Sequence, residues 1–150
     1  MKPSFEPGMF IEKRIDTKPD MAASRFHDNS PQVLSSPSLI TFVQTTCADL
    51  MAPFLDKGEM VVSTRIEMSH FASAPIGSAI TVRAEIIKTQ GSTIYFKIDA
   101  YDETEKIASG YNDMFIIDED RFARGIERKL RPDTKKDPIR ISPLLISDLN

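Results

Sequence analysis

From Gly58 onward the chain alternates apolar and polar residues with a period of two, and that alternation predicts strands. Met60, Val62, Thr64, Ile66 and Met68 fall on one side of the first strand, with Arg65 and Glu67 on the other. Ile80, Val82, Ala84 and Ile86 alternate with Thr81, Arg83 and Glu85 in the second, and Ile94, Phe96, Ile98 and Ala100 with Tyr95, Lys97 and Asp99 in the third. Gln90-Gly91 marks a hairpin turn between these two. A last strand is expected from about Ile107 to Ile117, and a short first one over Met9–Ile15.

Between the first strand and the others the period changes. Leu39, Ile40, Val43, Cys47, Leu50, Met51 and Phe54 recur at three- and four-residue spacing, which makes one apolar helix stripe. Thr41, Thr45 and Asp49 take the opposite side. Ser36 followed by Pro37 reads as a capping hydroxyl and then a first-turn proline, and Pro53 and Gly58 bound the other end. The preceding stretch, Asp16 to Ser36, is rich in Asp, Ser and Pro and predicts a loop that can serve as a lid.

The order is therefore strand, loop, one long helix and four strands joined by short connections, which implies an antiparallel sheet. One helix can cover one concave face if the sheet curls around it. The expected class is α+β, a hot-dog fold in which about five strands wrap one long central helix. The uncovered face and edge call for a partner, so a homodimer, or a tetramer built from it, is expected. We place the hot-dog domain at 1–124 and a C-terminal extension at 125–150, packed on the domain or on a neighbouring subunit. Within that tail RFARGIERKL reads as a short helix, the Pro-interrupted remainder as irregular, and ISPLLI as a packed strap or a subunit contact.

Composition narrows this picture. The 150 residues are 41% hydrophobic and 27% charged, a globular composition able to bury a core. A net charge of -3 argues against nucleic acid as a partner, because phosphate binding uses a basic face. No run approaches the roughly 20 apolar residues of a membrane helix, and the N-terminus MKPSFEPGMF has no signal-peptide core, so no membrane association is expected. Cys47 is the single cysteine, which precludes an intrachain disulfide and suits a reducing cytoplasm. With 1 Cys and 2 His, no metal site is expected. GxGxxG, HExxH and GxSxG motifs are absent.

Among titratable residues His70 is the most informative. It shares the parity of Met60 to Met68, and either a packed, backbone-bonded histidine or a general base at the sheet rim fits. Ser36 has an ordinary role as a cap, yet a helix start also presents free N–H groups suited to a developing oxyanion. Gln44, at the edge of the apolar stripe, needs hydrogen-bond partners and cannot take a proton as a carboxylate can. Cys47 reads as a core thiol. Asp113 and His27 are reserve candidates with structural or surface explanations.

These residues resemble a known family. The stretch SSPSLITFVQTTCADLMAPFLDKGEMVVSTRIEMSHFASAPIGS is similar to the core of the fluoroacetyl-CoA thioesterase family of hot-dog acyl-CoA thioesterases. The features that carry this are a hydroxyl residue opening the helix, an APxLxxGE turn (Ala52, Pro53, Leu55, Gly58, Glu59) and HxAxxPxG (His70, Ala72, Pro75, Gly77). TVRAEI, a Gly turn, a strand ending AYDE and a final SGYNDMFII also match, and the similarity runs from about Phe10 to Arg124. The resemblance implies hydrolysis of small acyl-CoA thioesters, without a cofactor, by a homodimer. The family's catalytic set is a Thr near the helix start, a Glu about two turns on and a His after the next strand. By position these become Ser36, Gln44 and His70. The first change keeps a hydroxyl and the second removes a carboxylate, so weak activity is expected. A family Gly-Thr pair near the acyl group becomes Ser63-Thr64; with Pro75 and Gly77 these are the implied substrate-binding residues. A side chain at Ser63 reshapes the acyl pocket and speaks against fluoroacetyl-CoA as substrate. The alternative function is a non-catalytic acyl-CoA or small-ligand binding module on the same scaffold. A third reading, a hydratase-type hot-dog enzyme, is not supported, because the Asp and His characteristic of its central helix are missing from this chain.

Overall fold

The computed structural model describes residues 4–130 and residue 142. Seven main elements run in the order β1 (Phe10–Asp16), α1 (Ser36–Met51), β2 (Glu59–His70), β3 (Ala79–Gln90), β4 (Thr93–Tyr101), β5 (Lys106–Asp118) and α2 (Glu119–Lys129). The ISPLLI segment lies outside the described residues except for Ser142.

The sheet has 5 strands in the order β1-β3-β4-β5-β2, and all its pairings are antiparallel. Its inner face wraps α1, as the hot-dog expectation requires. Val82, Ala84 and Ile86 of β3 and Ile94, Phe96 and Ile98 of β4 are each 0% exposed and pack against Val43, Cys47 and Met51 of the helix. Thr41, Thr45 and Asp49 face outward as read, and Asp49 is tied to Lys13 of β1 by an ion pair. The turn at Gly91-Ser92 joins β3 to β4 with Gln90 opposite Thr93, and the positive φ of Gly91, 60°, supplies the backbone a two-residue hairpin needs.

Two expectations require correction. The strands from Gly58 onward do not all follow one another by tight turns: β2 pairs with β5 at the edge of the sheet, and residues 71–78 cross its end to reach β3. Nor does β2 keep a single apolar face from Met60 to Met68. Its pairing with β5 shifts between Ser63 and Arg65, so Thr64 is an extra residue in a β-bulge. Val61 and Ser63 therefore point inward before the bulge, whereas Met68 and His70 point inward after it. Met60 is left 36% exposed. The Thr64 hydroxyl donates to the Asp113 carbonyl at 3.2 Å and helps hold the bulge. A bulge changes which parity faces the core without changing composition, and so leaves no mark in a hydrophobicity pattern.

The loop from Thr17 to Ser35 is tied down along its length. Two 3-10 turns, Pro19–Met21 and Ala23–Arg25, break it up. Ala23 N–H bonds the Val33 carbonyl at 2.8 Å, and Leu34 N–H bonds the Ala74 carbonyl at 2.8 Å. Thr17 anchors its start by donating to the Ser78 carbonyl at 2.7 Å and accepting from Gly77 N–H at 2.9 Å.

Candidate active site

The site begins at the start of α1. The sequence assigns the cap to Ser36, but in the structure the cap is Ser35, where the chain is still extended (φ -75, ψ 151). The Ser35 hydroxyl accepts from Ser38 N–H at 3.2 Å and donates to the Ser38 hydroxyl at 2.8 Å. Pro37 has no N–H, and Leu39 N–H is bonded to the Ser35 carbonyl at 3.1 Å. Among the described residues, the N–H of Ser36 itself is the first-turn donor left without a partner. Capping therefore does not account for Ser36.

Its hydroxyl instead meets His70: Oγ lies 2.8 Å from Nδ1. His70 is the last residue of β2, opposite Ala108 of β5, and the bulge at Thr64 gives it the inward parity that brings it to the helix start. Its Nε2 is buried and has no hydrogen-bond partner among the described residues. Burial pushes the imidazole below its ordinary value of 6.5, with the Ala72 backbone acting weakly the other way. The ring is then neutral at pH 7. With its proton on Nε2, Nδ1 accepts the Ser36 O–H, which is the arrangement a general base needs. Among the described residues no carboxylate is hydrogen-bonded to the imidazole, and the constellation they form is a dyad.

Ser36 and His70 border a cavity of about 430 Å³. Its other walls are the tied loop (Ala23, Phe26, His27, Val33, Leu34) and the chain after β2 (Phe71, Ala72, Ser73). A larger hollow of about 580 Å³ lies between β5 and α2, floored by Phe115, Ile117, Phe122 and Ile126. It holds no nucleophile and base in contact, and its Asp118 is engaged in capping α2 through Arg121 N–H at 2.8 Å.

The remaining candidates lie apart from the dyad. Gln44 is half-buried, eight residues along α1 from Ser36, a rise of about 12 Å, and makes no side-chain hydrogen bond among the described residues. Ser63 faces inward, its hydroxyl buried without a partner among the described residues, but does not line the cavity. Thr64 is exposed at the bulge. Pro75 and Gly77 form the turn that receives Thr17, Gly77 at φ 101°. Burial pushes the Cys47 thiol up to about 12, so it is a core residue and not a nucleophile. Asp113 is 9% exposed and lies 3.9 Å from Arg65. His27 is exposed at the cavity wall. No group of metal-ligating side chains occurs among the described residues.

Sequence reasoning overlooked Phe26, Phe71 and Asn112. The two phenylalanines sit in irregular polar segments, where an aromatic has no periodic signal. Asn112 is 0% exposed on the inner face of β5, where its amide lies against the Cys47 thiol.

The family model of fluoroacetyl-CoA-specific thioesterase matches residues 17–120. A fluoroacetyl-CoA thioesterase from Streptantibioticus cattleyicolor is 28% identical over 99 residues, which are 66% of this chain and 71% of that protein. A solved fluoroacetyl-CoA thioesterase structure superposes with a TM-score of 0.79 at 24% identity, covering 87% of this chain and 100% of that one. A hot-dog-like protein from Thermanaerovibrio acidaminovorans gives 0.80 at only 14% identity, over 86% and 96% of the two chains. A thioesterase superfamily member from Thermus thermophilus gives 0.77 at 25%, over 86% and 95%.

Proposed function

The chain belongs to the fluoroacetyl-CoA-specific thioesterase family, and from that premise we propose that it hydrolyses small acyl-CoA thioesters through Ser36 and His70, as a homodimer in the cytoplasm. The observation that carries this is the 2.8 Å contact between the Ser36 hydroxyl and His70 Nδ1 at the mouth of a cavity, with helix capping done by Ser35. His70 takes the Ser36 proton as Oγ attacks the thioester carbonyl. The oxyanion forms beside the Ser36 N–H at the helix start, which has no partner among the described residues. The C–S bond breaks, and the CoA thiolate leaves with the proton from His70. Water, deprotonated by His70, then cleaves the acyl-Ser36 ester and returns the proton to Oγ. With one oxyanion donor and no carboxylate behind the base among the described residues, a low rate is expected.

Thiol release from a panel of acyl-CoA esters tests the proposal. Ser36→Ala is expected to lower kcat by about 10²-fold or more, and Ser36→Thr to retain much of it. The melting temperature separates this from a capping role. Ser36→Ala leaves stability within about 0.5 kcal/mol, as an exposed substitution should, whereas Ser35→Ala costs about 1 kcal/mol. Activity that survives Ser36→Ala would refute the acyl-serine step.

Gln44 favours the second reading, a binding module, because it leaves no carboxylate at the position the family resemblance marks. If the carboxylate is all that was lost, Gln44→Glu raises kcat by about 10²-fold. An unchanged rate would mean that a group two turns from Ser36 has no part in this chain's chemistry. With no turnover in either protein, and acyl-CoA still raising the melting temperature, the binding module would stand.

A further inference from the structure

We propose that the site selects an apolar acyl group of hexanoyl or benzoyl size, seated between Phe26 and Phe71, over acetyl. The inference rests on the thioesterase reading and names its substrate class. Its first support is exposure. Phe26 is 51% and Phe71 57% exposed, yet both line the cavity that Ser36 and His70 border. Aromatic rings left open beside a reactive pair are surface for a ligand to cover. Neither ring hangs from a loose backbone. Phe71 N–H bonds the Ile107 carbonyl at 3.0 Å, and Phe26 N–H bonds the Ala23 carbonyl at 3.1 Å.

The second support is size and polarity. At about 430 Å³ the cavity is far larger than a two-carbon acyl group fills, and it falls in the roughly 300–1,000 Å³ range of small-molecule sites. Ala23, Val33, Leu34, Pro37 and Ala72 add apolar surface beside the polar His27, Ser35 and Ser73, and no Lys or Arg lines the cavity. The nucleotide end of CoA carries phosphates that call for cations, so it fits elsewhere; the acyl chain matches this lining. With the carbonyl carbon at Ser36 Oγ, the chain runs into the cavity between the rings, and the thiol leaves toward solvent.

The test is kcat/KM for acetyl-, butyryl-, hexanoyl- and benzoyl-CoA in the wild type and in Phe26→Ala, Phe26→Leu, Phe71→Ala and Phe71→Leu. Each buried methylene is expected to contribute roughly fourfold, so the extra methylenes of hexanoyl-CoA should favour it over acetyl-CoA by about 10²-fold. In each alanine variant that ratio should fall by roughly tenfold, and the leucine variants should restore part of it. A flat or acetyl-preferring panel overturns the inference while leaving the thioesterase reading intact. So does an equal loss for every ester, which would put the rings on the common CoA part. Calorimetric Kd values for S-ethyl-CoA and S-hexyl-CoA read the same ratio without turnover. A protein that hydrolyses nothing therefore sinks the thioesterase reading, and the Kd ratio still decides the acyl size.

Discussion

Replacing His70 with alanine is expected to lower thiol release from the best acyl-CoA substrate by about 10² to 10⁴-fold, the usual share of a positioned acid or base. His70 is the one group in contact with the Ser36 hydroxyl, and among the described residues no second base stands within hydrogen-bond reach. The pH dependence carries the same assignment. Burial lowers the His70 pKa from 6.5, so the neutral, proton-accepting form persists into mild acid. The acid limb of kcat/KM should therefore have its midpoint below 6.5. Stability moves in the same direction. In the window below 6.5 the unfolded chain binds a proton that the folded chain resists, so the unfolded state holds more protons and stability falls as pH falls. An acid limb centred at or above 6.5, or a His70→Ala protein with wild-type turnover, would remove His70 from the mechanism.

The fold was legible where a strand has one dry face. β3 and β4 lie inside the sheet, and their inward residues, Ile80 to Ile86 and Ile94 to Ala100, alternate strictly with Arg83, Glu85, Lys97 and Asp99 on the wetter face. The helix was legible for the same reason, although Phe42 and Thr46 share its buried side. Thr46 is tolerated there because its hydroxyl donates to the Phe42 carbonyl at 2.7 Å. β2 is an edge strand, half-exposed for most of its length, so apolar residues on either parity satisfy it. That latitude hides the bulge.

Ser36 and His70 could each be picked out singly, but each also had an ordinary role. What removes those roles is tertiary: Ser35 takes the cap, and the bulge turns His70 inward across 34 residues of sequence to meet Ser36. Gln44 is located on α1 by the sequence, and among the described residues its amide makes no hydrogen bond that marks a role. Phe26 and Phe71 were invisible because an exposed aromatic in a loop departs from no pattern. Only the cavity between them gives those rings a meaning.

The second large effect concerns stability, and it turns on one methyl group. Gly110 sits in β5 opposite Met68 of β2, two pairs from the Ala108–His70 position. A Cβ built there would lie 1.9 Å from the Glu67 carbonyl oxygen, 2.8 Å from its carbon and 2.7 Å from the Met68 sulfur. The sulfur can swing aside, but the carbonyl belongs to the backbone of the neighbouring strand. Gly110→Ala must therefore open the β2–β5 ladder locally, adding overpacking strain to at least one lost backbone hydrogen bond. We expect a cost of about 3 kcal/mol, or roughly a 10 °C drop in melting temperature for a chain of this size. His70 shares the disturbed ladder, so activity should fall with stability. Gly125→Ala supplies the contrast. Gly125 lies inside α2 with nothing within 4 Å of its would-be Cβ. There the added methyl only restricts the unfolded chain and improves helix propensity, by about 0.5–1 kcal/mol. One chemical change should thus lower the melting temperature at Gly110 and raise it slightly at Gly125. A Gly110→Ala protein that melts with the wild type would mean that β5 does not approach β2 this closely, and the strand-end position of His70 would need to be redrawn with it.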